Sequence, residues 1–230
     1  MQKYRKTILF AAFLILLLVI FTHIIRTEDM LWDFNTYYYG AKTFTAGQNP
    51  YDFEGLKKIG HVTQPFVYLP ITLILFLPLS LLEFSIALYV FLVIKIILLV
   101  SLVVLWEREF LKQRNELLFY LFCLIVFNGT IFMDFVSCNV SIIEQFFIWY
   151  GFYFLIKNRP ALFCGFIIVA ASFKAIPILL LTAVLFSTNK KKITYLLGSG
   201  TVFLCTQLLT LSLVPEMYYY FFCYRKEKEF

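Results

Sequence analysis

The chain is 230 residues long, 61% apolar and 20% aromatic, with 15% charged residues and a formal net charge of +6. A soluble domain carries roughly 45–50% apolar and about 25% charged residues, so an ordinary soluble globule, a disordered chain and a disulfide-stapled secreted module are all excluded. With a mean hydropathy of +0.83, the composition points to an all-helical integral membrane protein.

The basic residues do not form the continuous patch that nucleic-acid binding needs. They sit in short runs between apolar stretches, as loops at a membrane face do. Residues 7–25 form the first apolar run, behind the basic start Lys3, Arg5 and Lys6. That is long enough for one crossing of about 30 Å of hydrocarbon. Phe21-Thr22-His23-Ile24-Ile25-Arg26 offers no small-residue cleavage site, so the run is expected to stay as an anchor with a cytosolic N-terminus. Residues 26–66 are mixed and polar and make the one sizeable loop. Apolar runs follow at 66–82, 84–106, 117–133, 140–156, 161–173, 176–186 and 193–214.

Eleven Lys and Arg residues fall in four patches: Lys3/Arg5/Lys6, Arg108/Lys112/Arg114, Lys157/Arg159 and Lys190/Lys191/Lys192. If all four face the cytosol, each interval between patches holds an even number of crossings. The first interval has one apolar run too many. The odd one is 66–82, which carries Pro70 and Pro78 and is separated from the next run only by Glu83. Proline breaks a long regular helix, so 66–82 is expected to be re-entrant, entering and leaving on the outside. A plain crossing with one basic loop misplaced is the alternative. The expected architecture is a single polytopic transmembrane helical domain over 1–230 with about seven crossings. Residues 26–83, the 134–139 turn, the 172–176 turn and the tail after Val214 then share the outer face.

On that face, Asp33 begins a stretch in which Phe34, Tyr37/Tyr38, Ala41 and Phe44/Thr45 recur at helical spacing. This predicts a helix lying along the membrane surface, stopped at Gly47. From residue type alone, Asp33 reads as a helix cap. Lys174, at the tip between two short apolar runs, is either functional or snorkelling to the interface. Lys95 is a second intramembrane cation, with Glu144 as a possible partner. Asp134 and Asn139 bracket a turn near the Lys174 tip. Asn128-Gly129-Thr130 and Asn139-Val140-Ser141 match the glycosylation sequon but lie close to membrane helices. Of the five cysteines, Cys138 and Cys223 can fall on one oxidising side, where a bridge is a weak expectation. His23 and His61 are too isolated for a metal site, and no Asp-x-Asp pair or phosphate-cradling loop occurs. No metal or cofactor is expected.

Trp32-Asp33-Phe34, Tyr37-Tyr38, Ala41 and Gly47-Gln48-Asn49-Pro50-Tyr51-Asp52 resemble the first outer loop of glycosyltransferase family 87, membrane enzymes of the GT-C fold. Phe66-Val67-Tyr68-Leu69-Pro70 and Leu77-Pro78-Leu79 continue the resemblance. Asn139 stands at the Asn of a Gly-Gln-Val-Asn motif, with Ser137-Cys138 in place of Gly-Gln. Arg159-Pro160-Ala161-Leu162-Phe163-Cys164-Gly165 and Phe173-Lys174-Ala175-Ile176-Pro177 are similar to the family's Arg…Ala-Gly and Lys-x-x-Pro segments. Family members are typically longer, so the chain is expected to be a short or truncated member.

The resemblance implies transfer of a mannose-like hexose or a pentose from a polyprenyl-phosphate donor to a glycan or glycolipid hydroxyl, outside the cell membrane, in the service of the cell envelope. It makes Asp33 the general base. Tyr37, Tyr38, Tyr51, Asp52, Tyr68, Asn139 and Lys174 become substrate-binding residues, with Lys174, helped by Lys42 or Arg26, facing the leaving phosphate. Two other functions stay open on the residues alone: a transporter with broken helices, and an inactive fragment or accessory subunit that binds a lipid carrier.

Overall fold

The computed structural model describes residues 2–26, 30–111 and 127–228. All regular structure among these residues is helical. The elements are α1 (Gln2–Arg26), α2 (Trp32–Thr45), α3 (Phe53–Ile59), α4 (Pro70–Ser80), α5 (Phe84–Leu105) running into a π-helical turn (Trp106–Phe110), α6 (Phe127–Ser137), α7 (Ser141–Ile156), α8 (Pro160–Phe173), a 3₁₀ helix (Ile176–Phe186), α9 (Lys192–Leu213) and α10 (Pro215–Lys228).

The membrane character is visible in α5. Ala87, Leu88, Phe91, Leu92, Lys95 and Leu99 are buried against the protein, while Ile86, Tyr89, Val90, Val93, Ile94 and Ile97 are exposed. A helix that is apolar all round, with one face left uncovered, belongs against lipid. The segment Phe84–Phe110 and helix Lys192–Leu213 are each long and apolar enough to cross a bilayer. The apolar stretch Thr7–Ile20 within α1 and the helices α4, α7, α8 and the 3₁₀ helix are shorter. α4 has 11 residues, about 16 Å at the α-helical rise and roughly half the hydrocarbon thickness. Pro70 sits at its first position, where the missing N–H costs nothing, and Pro78 lies inside it.

α2 occupies the middle of the larger core rather than a surface. Asp33, Phe34, Asn35, Thr36, Tyr37, Tyr38, Gly40, Ala41 and Thr43 are all buried. This corrects the expected surface helix, and the reason is that both of its sides are covered. α4 packs on one side. On the other, the Asn35 Nδ2 donates to the His61 carbonyl at 2.9 Å and the Thr36 hydroxyl to the Gln64 carbonyl at 3.1 Å. A Cβ at position 40 would come within 3.1 Å of the Phe66 ring, so Gly40 permits the close approach of this loop. A second, smaller core of Phe163, Cys164, Ile167, Leu181 and Val184 joins α8 to the 3₁₀ helix.

Three helices end alike. In α2, α6 and α7 the chain turns through a left-handed residue: Gly47 (φ 69°), Cys138 (φ 53°) and Asn158 (φ 55°). Each turn carries a pair of backbone bonds to the preceding helix, for example Cys138 N–H to the Phe135 carbonyl and Asn139 N–H to the Asp134 carbonyl, both 3.1 Å. This is the Schellman arrangement, in which glycine is the usual left-handed residue. Lys157 pairs with Glu109 at 3.0 Å. The turn after α5 and the turn after α7 therefore meet at one end of the bundle, away from the α6–α7 turn.

Candidate active site

Asp33 lies in the first turn of α2, following the N-cap residue Leu31. It is the second helical residue rather than the cap, and its carboxylate is engaged elsewhere. Asn139 Nδ2 donates to Asp33 Oδ2 at 2.8 Å. The Schellman turn at Cys138 delivers Asn139 to this place. Asn139 Oδ1 in turn accepts from the Ser141 backbone N–H at 3.1 Å and from the Ser141 hydroxyl at 2.9 Å. Lys174 Nζ donates to the same Ser141 Oγ at 2.9 Å. Every bond from Lys174 through Ser141 and Asn139 to Asp33 is donated in one direction, from cation to carboxylate. Such chains polarise each of their members.

Lys174 also pairs with Glu144, at 3.2 Å, and keeps about a third of its side chain exposed. It points into the protein and so does not snorkel. Lys95 is fully buried and pairs with Asp134 Oδ2 at 2.7 Å. The expected Lys95–Glu144 pair is thereby corrected: Lys174 holds Glu144, and Asp134 lies on the α6 turn that faces α5. The Asp134 Oδ1 atom and the hydroxyl of Ser141 belong to residues lining a cavity of about 360 Å³, whose apolar wall includes Leu99, Leu102, Ile131 and Ile142.

A tyrosine pair stands near Asp33. The Tyr37 hydroxyl donates to the Tyr68 hydroxyl at 2.7 Å, and the Tyr37 ring stacks on Phe76 with centroids 4.6 Å apart. Burial chiefly, then Tyr68 and the Asp33 carboxylate, push the Tyr37 phenol well above its ordinary value. Burial does the same for Tyr68. Tyr51, raised by burial too, donates to the Tyr68 carbonyl at 2.8 Å and so holds that strand of loop in place.

These shifts predict a pH dependence. An unfolded tyrosine ionises near 10. A phenol whose folded value is raised contributes stability that is complete below pH ~10 and is lost as pH climbs through the folded values. The detergent-purified protein should hold its thermal midpoint up to pH ~10 and fall above it, with part of its phenolate absorbance appearing only on unfolding. A midpoint unchanged well into the alkaline range, or all 15 tyrosines ionising together, would contradict this.

The profile of glycosyltransferase family 87 matches residues 66–225, most of the chain. The chain belongs to glycosyltransferase family 87. No curated protein and no solved structure matches it. It is thus a membrane glycosyltransferase, and the family match takes in Tyr68, Lys95, Asp134, Asn139, Ser141, Glu144 and Lys174. Asp33 precedes the matched stretch and joins it through Asn139.

The structure of this family 87 chain gathers Asp33, Tyr37, Tyr68, Asn139 and Lys174, with Tyr51 one bond behind. Tyr38 is elsewhere: its hydroxyl donates to the Leu82 carbonyl at 2.7 Å, and Lys42 lies over its ring. Asp52 is exposed and lines a separate groove with Glu54, Phe53 and Tyr220. The Arg26 side chain lies outside the described residues. Sequence reasoning does not single out Ser141 or Glu144 for the site, and the structure sets both against Lys174. Ser141 had a signal, the Asn139-Val140-Ser141 triplet, but its Asn–Ser spacing here serves a local turn in which Asn139 uses both ends of its amide. Cys138 and Cys223 are free, so the expected bridge does not form; Cys138 is sealed in the turn while Cys223 borders the Asp52 groove.

Proposed function

We propose that this glycosyltransferase moves a mannose-like hexose or a pentose from a polyprenyl-phosphate donor to a glycan or glycolipid hydroxyl on the outer face of the membrane. The polarised line from Lys174 to Asp33 is the observation that supports this most. An acceptor hydroxyl placed against Asp33 Oδ1, which has no donor among the described residues, gives its proton to the carboxylate. Its oxygen attacks the anomeric carbon. The bond from that carbon to the phosphate oxygen breaks on the far side, and configuration inverts. The phosphate leaves as an anion and needs no acid, unlike the leaving group of a glycosidase, which calls for two carboxyl groups. Lys174, still reachable from the cleft, meets the charge that grows on the phosphate. Asn139 fixes the base, and the Tyr37–Tyr68 pair flanks it with neutral phenols for a sugar ring.

The apolar cavity that ends at Asp134 and Ser141 suits the first isoprene units. The short α4 leaves the cleft open sideways to lipid, and the Thr72 hydroxyl holds it to the Ser172 carbonyl at 3.0 Å, next to the Lys174 tip. On the proposed topology, about seven crossings with a cytosolic N-terminus set this end of the bundle outside; the Lys157–Glu109 pair at the opposite, basic end supports it. The test gives the purified full chain labelled sugar on polyprenyl phosphate or on a nucleoside diphosphate. Transfer from the lipid donor alone, with inverted product, is expected. Direct use of the nucleotide sugar, or retained configuration, overturns the proposal.

A further inference from the structure

Lys95 is used by none of the chemistry above, yet it lies mid-way along the membrane helix α5 with no exposure at all. A cation withdrawn from water in a membrane helix is costly and calls for a use. Its ammonium reaches Asp134 twice. One contact is the ion pair to Oδ2; the other is a bond to the Asp134 backbone carbonyl at 2.6 Å. The Phe91 and Phe135 rings flank it at 5.6 and 4.9 Å.

That carbonyl is a junction. It also accepts the Asn139 N–H that closes the left-handed turn. The turn runs through Cys138 rather than glycine, so it is held against a steric cost that no Cβ-free residue would carry. Asn139 is then one hydrogen bond from Asp33. Two bonds and one peptide turn separate the buried lysine from the carboxylate.

We infer that Lys95 and Asp134 are a positioning pair for Asp33: they clamp the end of α6 so that the Asn139 amide meets the carboxylate. This rests on the reading of Asp33 as the base. The pair touches neither donor nor acceptor. It sets the angle at which the base is presented, and misplacement of a catalytic group by an ångström can cost about 100-fold.

A double-mutant cycle separates this from a purely stabilising role. Removing one partner strands a buried charge, whereas replacing both by apolar residues of similar volume is often neutral for the fold. The first variant is therefore Lys95→Met/Asp134→Leu, assayed as the full chain for kcat, KM and thermal midpoint. Turnover should fall at least about tenfold with donor KM within about twofold and little change in midpoint. Asn139→Ala should lose a similar amount, and the triple variant should be no worse than Asn139→Ala. Wild-type turnover in the pair variant, or losses that multiply in the triple, overturns the inference. If Lys95→Met/Asp134→Leu yields no folded protein, Lys95→Met/Asp134→Asn, which still removes the donor to the Asp134 carbonyl but keeps the shape of residue 134, enters the same cycle with the same two criteria. Asp33→Asn is run beside it. Full activity there overturns the base and this inference together; loss there with multiplicative losses in the cycle overturns the inference alone.

Discussion

Asp33→Asn should abolish sugar transfer while leaving the protein inserted and folded. Asparagine has the shape of aspartate and can still accept the Asn139 amide bond through its carbonyl oxygen, so the packing of α2 is preserved. What disappears is the ability to take a proton. General-base catalysis contributes about 10²–10⁴-fold, and a loss in that range is the expected size of the effect. It should appear in kcat, with donor KM little changed, because the carboxylate acts on the acceptor as the bond forms. Equal yield and elution of the detergent-purified variant would confirm the fold. Turnover within threefold of wild type would remove Asp33 from the chemistry, and with it the meaning of the line that reaches it from Lys174.

The parts of this site differ in how openly the chain displays them. Asp33, Tyr37 and the stop at Gly47 are legible because helix start, periodicity and glycine punctuation are local signals, and α2 ends where they place its end. The burial of α2 is not legible. Its sequence has the mixed polarity of an interfacial helix, and only the return of residues 60–66 over Asn35, Thr36 and Gly40 turns that polarity into internal hydrogen bonds. The left-handed turn that presents Asn139 is hidden because its pivotal residue is Cys138; in α2 the same turn is advertised by Gly47. The Lys95 partner is hidden for another reason. Asp134 and Glu144 stand one on each side of the α6–α7 turn, both near the cations of neighbouring helices, and which carboxylate faces which lysine depends on helix rotation. Residue type says that two buried cations need two anions. It does not say how they pair.

Lys174 invites the second large effect, and its tie to Glu144 dictates how to measure it. Glu144 keeps only about a tenth of its side chain exposed. Lys174→Met alone would leave that carboxylate buried without a partner, a change that destabilises strongly and would confuse lost chemistry with lost fold. The paired change Lys174→Met/Glu144→Gln removes both charges, keeps an amide that can bond to Ser141, and leaves Asp33 and Asn139 in place. With the cation gone, the Lys174 ammonium no longer meets the charge that develops on the departing phosphate. Removing one preorganised donor of this kind costs about 10²–10³-fold in turnover. Glu144→Gln by itself should act oppositely, freeing the ammonium for phosphate, so that donor KM falls while kcat holds. The three proteins assayed together decide the role. A loss in kcat confined to the variant lacking Lys174 marks it as the group that stabilises the leaving phosphate in the transition state. A rise in KM with unchanged kcat would make it a ground-state anchor for the donor instead. A paired variant as fast as wild type would leave the phosphate to another cation and reduce Lys174 to a strut between α7 and α8.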